Sequence, residues 1–133
     1  MDRVLNKGMS TSRKKHPPHE LGLCGENLAE ALLRRKKYRI ICRGYRAGRG
    51  EIDIVALDGR TLVFVEVKTR RNRRYGLPEE YVTVKKQAQI RKTALRFLLS
   101  RRIPHSDCRF DVIGVTWDRE SLPEITHHIN AFP

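Results

Sequence analysis

The chain has 133 residues, of which 28 are Lys or Arg and 15 are Asp or Glu, giving a net charge of +13; 39% are hydrophobic and three are cysteines. That length supports one core rather than two, and a charged fraction of 32% with a mean hydropathy of −0.57 excludes a membrane-spanning protein. No apolar signal core follows the basic N-terminus, which points to the cytoplasm, and Cys24, Cys42 and Cys108 read as reduced thiols rather than a disulfide framework or a zinc site.

In chain order, residues 1–19 combine charges with Gly, Ser and Pro and hold little apolar content, the pattern of a disordered basic tail; a single domain occupies 20–133. From Leu21 to about Lys37 apolar residues recur at helical spacing, with Glu26, Glu30 and Arg34 one turn apart on another face. Tyr38–Cys42 reads as a short strand, followed by a Gly- and Arg-rich connector to Gly50.

GEIDIVAL and TLVFVEVKT are β-rich runs joined by Asp58-Gly59, a strong hairpin signal. A loop symmetric about that dipeptide sets Asp53 opposite Phe64, Glu51 opposite Glu66 and Val55 opposite Leu62. Alternation then sends Glu51, Asp53, Glu66 and Lys68 to one face and Ile52, Ile54, Val63, Val65 and Val67 to the other. Near the turn both faces are apolar, as befits central strands with helices on both sides.

A second helix runs from Glu80 or Thr83 to Arg101. Lys85, Gln89, Lys92 and Arg96 make a polar stripe, and Val84, Ala88, Ile90, Ala94, Leu95, Phe97, Leu98 and Leu99 a broad apolar face interrupted by Gln87 and Arg91. RFDVIGVTW and EITHHINAF close the chain as two strands, in which His127 and His128 point to opposite faces and Asp111 has a structural place. The fold class is α/β, a mixed central sheet flanked by helices in the order α-β-β-β-α-β-β.

Four basic blocks (3–15, 34–49, 68–74 and 85–102) on one domain make a polyanion the natural partner, and nucleic acid fits better than a membrane. Arg70, Arg71, Arg73 and Arg74 leave the strand that carries Lys68, well placed to track a phosphate backbone; Arg46, Arg49, Lys86 and Arg91 are further candidates. Tyr45 and Tyr75 either stack on unpaired bases or anchor loops.

Within this basic chain Asp53 and Glu66 fall on neighbouring strands, close enough to share a divalent ion through hard oxygen ligands, with Lys68 beside them to orient a water and offset charge on a phosphate. A surface ion-pair cluster is the plain alternative, but apolar surroundings and the third acid, Glu51, favour a bound cation.

The pattern Asp53-x(12)-Glu66-Val67-Lys68 resembles the core of the PD-(D/E)-x-K nuclease superfamily. More closely, Gly22-x-x-x-Glu26-x-x-Ala29, Tyr38-Arg39-Ile40, GEIDIVALDG, LVFVEVKTR, Gly76-x-Pro78-Glu79-Glu80, Lys86 and RFDVIGV resemble the YraN-like endonuclease-related family, from about residue 20 to 132. The resemblance implies a restriction-endonuclease-like fold, Mg²⁺ or Mn²⁺ at Asp53 and Glu66, a further acid at Glu26, and a helix glutamine, Gln87, near the metal. Without it Glu26 is a solvent-facing helix residue.

Where that family usually has Gly-Tyr and Arg-Asn, this chain has Lys37-Tyr38 and Arg43-Gly44, and Ile52 replaces the superfamily's proline. Arg91 is read as contacting the scissile phosphate or pairing with Glu51 or Glu66. The implied function is metal-dependent cleavage of nucleic acid, DNA above RNA, selected by structure rather than base sequence. A non-cutting nucleic-acid-binding module and a basic ribonucleoprotein component are the alternatives, and the sequence leaves a homodimer open.

Overall fold

The structure is a computed structural model that describes residues 18–71, 82–103, 107–117 and 122–133. Its elements are α1 (Pro18–Arg35), β1 (Arg39–Ala47), β2 (Gly50–Asp58), β3 (Thr61–Arg70), α2 (Val84–Arg101), β4 (Cys108–Thr116) and β5 (Glu124–Phe132). This is the mixed α/β order read from the sequence, on a five-stranded sheet whose strands lie side by side in chain order. Every neighbouring pair is antiparallel except β3–β4, which is parallel and is bridged by the α2 crossover.

Helix α1 begins at Pro18, earlier than Leu21 and inside the stretch read as a tail; residues 1–17 lie outside the described residues. It ends at Arg35 because Lys37 turns left-handed at φ 70°, letting Tyr38 N–H donate to Leu33 O at 2.9 Å. Gly44 is left-handed too, at φ 62°. Both departures from the YraN-like pattern thus fall where the backbone favours glycine or asparagine.

The hairpin β2–β3 forms, with one correction of register. Asp58 pairs with Thr61 and Val55 with Phe64, so the two-residue loop is Gly59-Arg60 rather than Asp58-Gly59. Gly59, at φ 61°, supplies the positive φ that the first position of a Gly-X hairpin turn demands. Glu51 consequently does not oppose Glu66; it lies opposite Arg46 of β1 and pairs with it at 2.6 Å. Strand β1 is also longer than Tyr38–Cys42, since Arg43–Ala47 of the expected connector continue the ladder with β2. As an edge strand it can carry arginines outward, where they discourage pairing with another chain.

Each sheet face holds a separate core. Under α1, Leu28, Ala29 and Leu33 pack on Ile54, Ala56, Val63 and Val65; under α2, Ile90, Ala94, Phe97 and Leu98 pack on Val55, Leu62, Phe64 and Val112. The apolar face expected of α2 is used only in part, because the sheet covers a narrow stripe: Val84, Leu95 and Leu99 stay exposed while Thr93 is buried. Thr83 caps the helix, its hydroxyl accepting from Lys86 N–H at 3.1 Å. Among the described residues no helix is long and apolar enough to cross a membrane.

Besides the bulges at Ile40/Cys42 and Phe110/Val112, alternation breaks near Asp53. Ile52 joins the α2-side core although Ile54, two residues on, faces α1. Strand β1 flips with it, since Arg43, opposite Ile54, reaches the α1 side chains while Tyr45, opposite Ile52, packs edge-on against Phe97 at 5.0 Å. Between them stand the left-handed Gly44 and Asp53. The two strands are wrung by half a pleat at the residue expected to carry chemistry.

Helix α1 is drawn onto β3 by Gly25, which leaves no room for a Cβ beside the Thr69 side chain. Gly25→Ala should lower stability by about 1–3 kcal/mol, as overpacking does, with partial rescue by Thr69→Ala in a urea titration. Equal stability of Gly25→Ala and wild type would show that the approach is loose.

On the α1 side, at the far edge of the sheet, Asp111 is fully buried. It accepts from Arg109 Nε at 3.0 Å and Asn130 N–H at 2.9 Å, and pairs with His127 Nε2 at 2.7 Å; Arg109 also donates to Asp58 and Tyr38. Burial alone would raise the Asp111 carboxyl, but these bonds, led by His127, hold it below the ordinary carboxylate range. Asp111→Asn should therefore cost about 2–3 kcal/mol in denaturant unfolding, and a loss under about 1 kcal/mol would mean the network is slack.

Candidate active site

Strand β2 brings Asp53, and strand β3 Glu66 and Lys68, to the point where the two strands part. The β2–β3 ladder ends at Ile54 opposite Val65, and the next inward N–H of β3, from Val67, donates instead to Asp53 Oδ2 at 2.8 Å. That bond aims Asp53 at β3, the strand that carries Glu66. Glu66 is buried, 5% exposed, and Asp53 is half-buried.

Two carboxyls this close cannot both ionise cheaply. Asp53 is pushed up to about 7, first by burial, then by the charge of Glu66 with a smaller push from Glu51, against the Val67 hydrogen bond that favours its anion. Two cations attend the pair: Lys68 Nζ lies 3.4 Å and Lys86 Nζ 3.9 Å from Glu66 Oε2. Lys86 comes from the first turn of α2, so the site draws on both strands of the hairpin and on the crossover helix.

Glu26 faces the same region from α1. Burial and then the charge of Asp53 push its carboxyl up, and Arg43 pulls it down through an ion pair at 3.4 Å. Arg43 also holds Glu30 at 3.3 Å and Asn27 at 2.8 Å, so one edge-strand guanidinium grips the exposed turn of α1. Sequence reading missed Arg43; the signal was its place opposite the Glu26/Glu30 helix face, visible only once β1 is extended past Cys42. Among the described residues no group of three or more His, Cys, Asp or Glu side chains stands ready to hold a metal ion. The donor set nonetheless suits a hard cation: Asp53, pushed up to about 7, can exchange its proton for a metal beside the Glu66 carboxyl.

Other expected residues are scattered. Gln87 Nε2 donates to the Val82 carbonyl at 3.0 Å, just ahead of the helix cap. Arg91 turns away from the acids, donating to the Pro133 carbonyl at 2.8 Å. Arg46 is exposed and paired with Glu51, and Arg49 sits exposed at the β1–β2 turn. Arg70 ends β3 and Arg71 follows it, whereas Arg73, Arg74 and Tyr75 lie outside the described residues. Tyr45 is a packing residue against Phe97.

Residues 25–115 match the model of the uncharacterised protein family UPF0102. The chain belongs to that family. A UPF0102 protein of Geobacter sulfurreducens is 49% identical over 93% of this chain and 97% of its own length. UPF0102 proteins of Geobacter metallireducens and Chlorobium phaeobacteroides are 50% and 51% identical over 84% and 86% of the chain and 91% and 95% of their own lengths. The UPF0102 match spans α1 from Gly25 to Val115 of β4, and so contains Glu26, Asp53, Glu66 and Lys68.

Proposed function

We propose that the protein is a metal-dependent nuclease, hydrolysing phosphodiester bonds in DNA selected by structure. The observation that carries the reading is the meeting of Asp53 and the buried Glu66 where β2 and β3 part, with Lys68 Nζ 3.4 Å from Glu66, on a chain of net charge +13. An acid pair so placed costs stability and suits a divalent cation beside bound phosphate. Its pattern on a hairpin resembles the PD-(D/E)-x-K core, and the reading sets the domain among restriction-endonuclease-like nucleases.

In this mechanism Asp53 gives up its proton and, with Glu66, presents hard oxygen ligands, with Glu26 as a further acid. Mg²⁺ or Mn²⁺, when bound, polarises a phosphoryl oxygen and lowers the pKa of a water. Lys68 orients the attacking water and offsets charge at the phosphate, and Lys86 adds a second cation on the same side. Val67 N–H keeps Asp53 in position throughout.

One observation favours the non-cutting alternative: Arg43 holds Glu26 in an ion pair, which leaves two carboxyls rather than three at the site. Incubating the protein with labelled single strand, duplex, flap, four-way junction and RNA, with Mg²⁺, Mn²⁺ or a chelator, separates the readings. Metal-dependent cutting of a branched DNA is expected. Tight binding with no cutting of any substrate in either metal would leave a binding module.

A further inference from the structure

Most cations of the sheet and α1 have acid partners. Arg43 pairs with Glu26 and Glu30, Arg46 with Glu51, and Arg109 with Asp58 and Asp111. Four others converge on one groove of about 600 Å³ between the β1–β2 turn and the exposed stripe of α2: Arg49, Lys85, Lys92 and Arg96. No acid lines it, and among the described residues no carboxylate pairs with any of the four.

The groove is built rather than incidental. Gln89 Nε2 donates to Arg49 O at 3.0 Å, tying the turn to the helix. Gly50 lets the turn settle onto the buried Thr93, whose hydroxyl donates to Gln89 O at 2.8 Å, and Gly48, at φ 60°, leaves room for the Arg96 guanidinium. A side chain at either glycine would displace a wall. Four like charges held together with no counterion among the described residues cost free energy that a polyanion returns.

We propose that this groove binds the phosphodiester backbone of DNA and leads it to Asp53 and Glu66. The proposal rests on the nuclease reading and deepens it by naming the path of the strand. Lys85, Gln89, Lys92 and Arg96 follow one helix face over eleven residues, about 16 Å, which matches roughly four or five nucleotides at about 3.4 Å of rise each. Gly50, in the groove wall, stands three residues before Asp53, about 10 Å along β2, and Lys85 adjoins Lys86, whose amine reaches Glu66. The backbone thus meets unpaired cations first and the acid pair next. The groove contains no aromatic side chain for a base to stack on, and its Gln89 amide is tied to Arg49 O, which leaves its cations to grip phosphate.

The test is fluorescence anisotropy with labelled DNA over a salt series, comparing wild type, the groove triple Lys85→Ala/Lys92→Ala/Arg96→Ala, and a control triple of equal charge loss on exposed sites elsewhere, Arg39→Ala/Arg60→Ala/Arg102→Ala. The groove triple should bind at least tenfold more weakly than the control and lose about 2–3 from the slope of log affinity against log salt. Lys92→Glu alone should weaken binding more than Lys92→Ala, giving a readout that needs only one change on an exposed helix face. Equal affinity and slope in the two triples would overturn the groove. Tighter binding of RNA than of DNA, lost in the groove triple, would overturn DNA as its occupant. If wild type cuts DNA and the groove triple cuts it equally well, the groove fails while the nuclease reading stands; if the groove triple loses binding but wild type cuts nothing, the groove stands and the nuclease reading fails.

Discussion

Lys68→Ala is expected to slow metal-dependent cleavage by about 10²–10⁴-fold while leaving the dissociation constant for DNA within about twofold of wild type. The asymmetry follows from where the amine sits. Its Nζ lies 3.4 Å from Glu66 Oε2, beside the acids and half shielded, and so acts where charge develops during hydrolysis rather than along the bound backbone. Lys86, at 3.9 Å from the same oxygen, keeps a positive charge near Glu66 in the variant. An interaction made only in the transition state lowers kcat and kcat/KM together. Single-turnover cleavage and anisotropy on the same DNA read the two effects separately. Rate and affinity falling in parallel would reduce Lys68 to a phosphate contact.

The second large effect is on stability against pH in the metal-free protein. Asp53 titrates at about 7 when folded and at about 3.9 in an unfolded chain. Between those values the folded protein holds a proton that the unfolded chain has released, so stability falls as pH rises through this window. The stabilisation is complete below about pH 4 and gone above about pH 7, and three pH units at about 1.36 kcal/mol each set an upper bound near 4 kcal/mol. Asp53→Asn mimics the protonated acid and is still able to accept from Val67 N–H. It should flatten this part of the profile and be more stable than wild type at pH 8. Mg²⁺ replaces the proton, so its addition should raise the melting temperature of wild type more at pH 8 than at pH 5.5, and hardly at all in Asp53→Asn. Parallel pH profiles for the two proteins would show that Asp53 does not keep its proton in the folded chain.

The sequence carried the element order, because each element here has its own local signal: the β-branched runs of β2 and β3, and the helical recurrence of apolar residues in α1 and α2. It also marked Asp53, Glu66 and Lys68, since acids and a lysine in an otherwise apolar hairpin stand out. Register was harder. Both candidate loops contain Gly59, and the choice turns on whether glycine takes the first or the second loop position, which a dipeptide signal does not settle. The flip at Gly44 and Asp53 is invisible to strict alternation, so Ile52 was placed with Ile54 when it packs with Val55. Gln87 and Arg91 looked aimed at a polar site because they interrupt an apolar helix face. Each instead satisfies a backbone carbonyl, at Val82 and Pro133, partners that no periodicity can identify.

The bond from Val67 N–H to Asp53 Oδ2 has a spectroscopic consequence. Where an ordinary strand would hand this amide to a backbone carbonyl, a titrating side chain holds it, and the β2–β3 ladder has no pair beyond Ile54–Val65. Protection of the Val67 amide against hydrogen exchange therefore follows the charge on one carboxyl, tightening as Asp53 ionises, while the Val65 amide one step inward keeps the rate of the intact sheet. A single pair of resonances thus reports the state of the acid centre from the main chain, without substrate and without turnover.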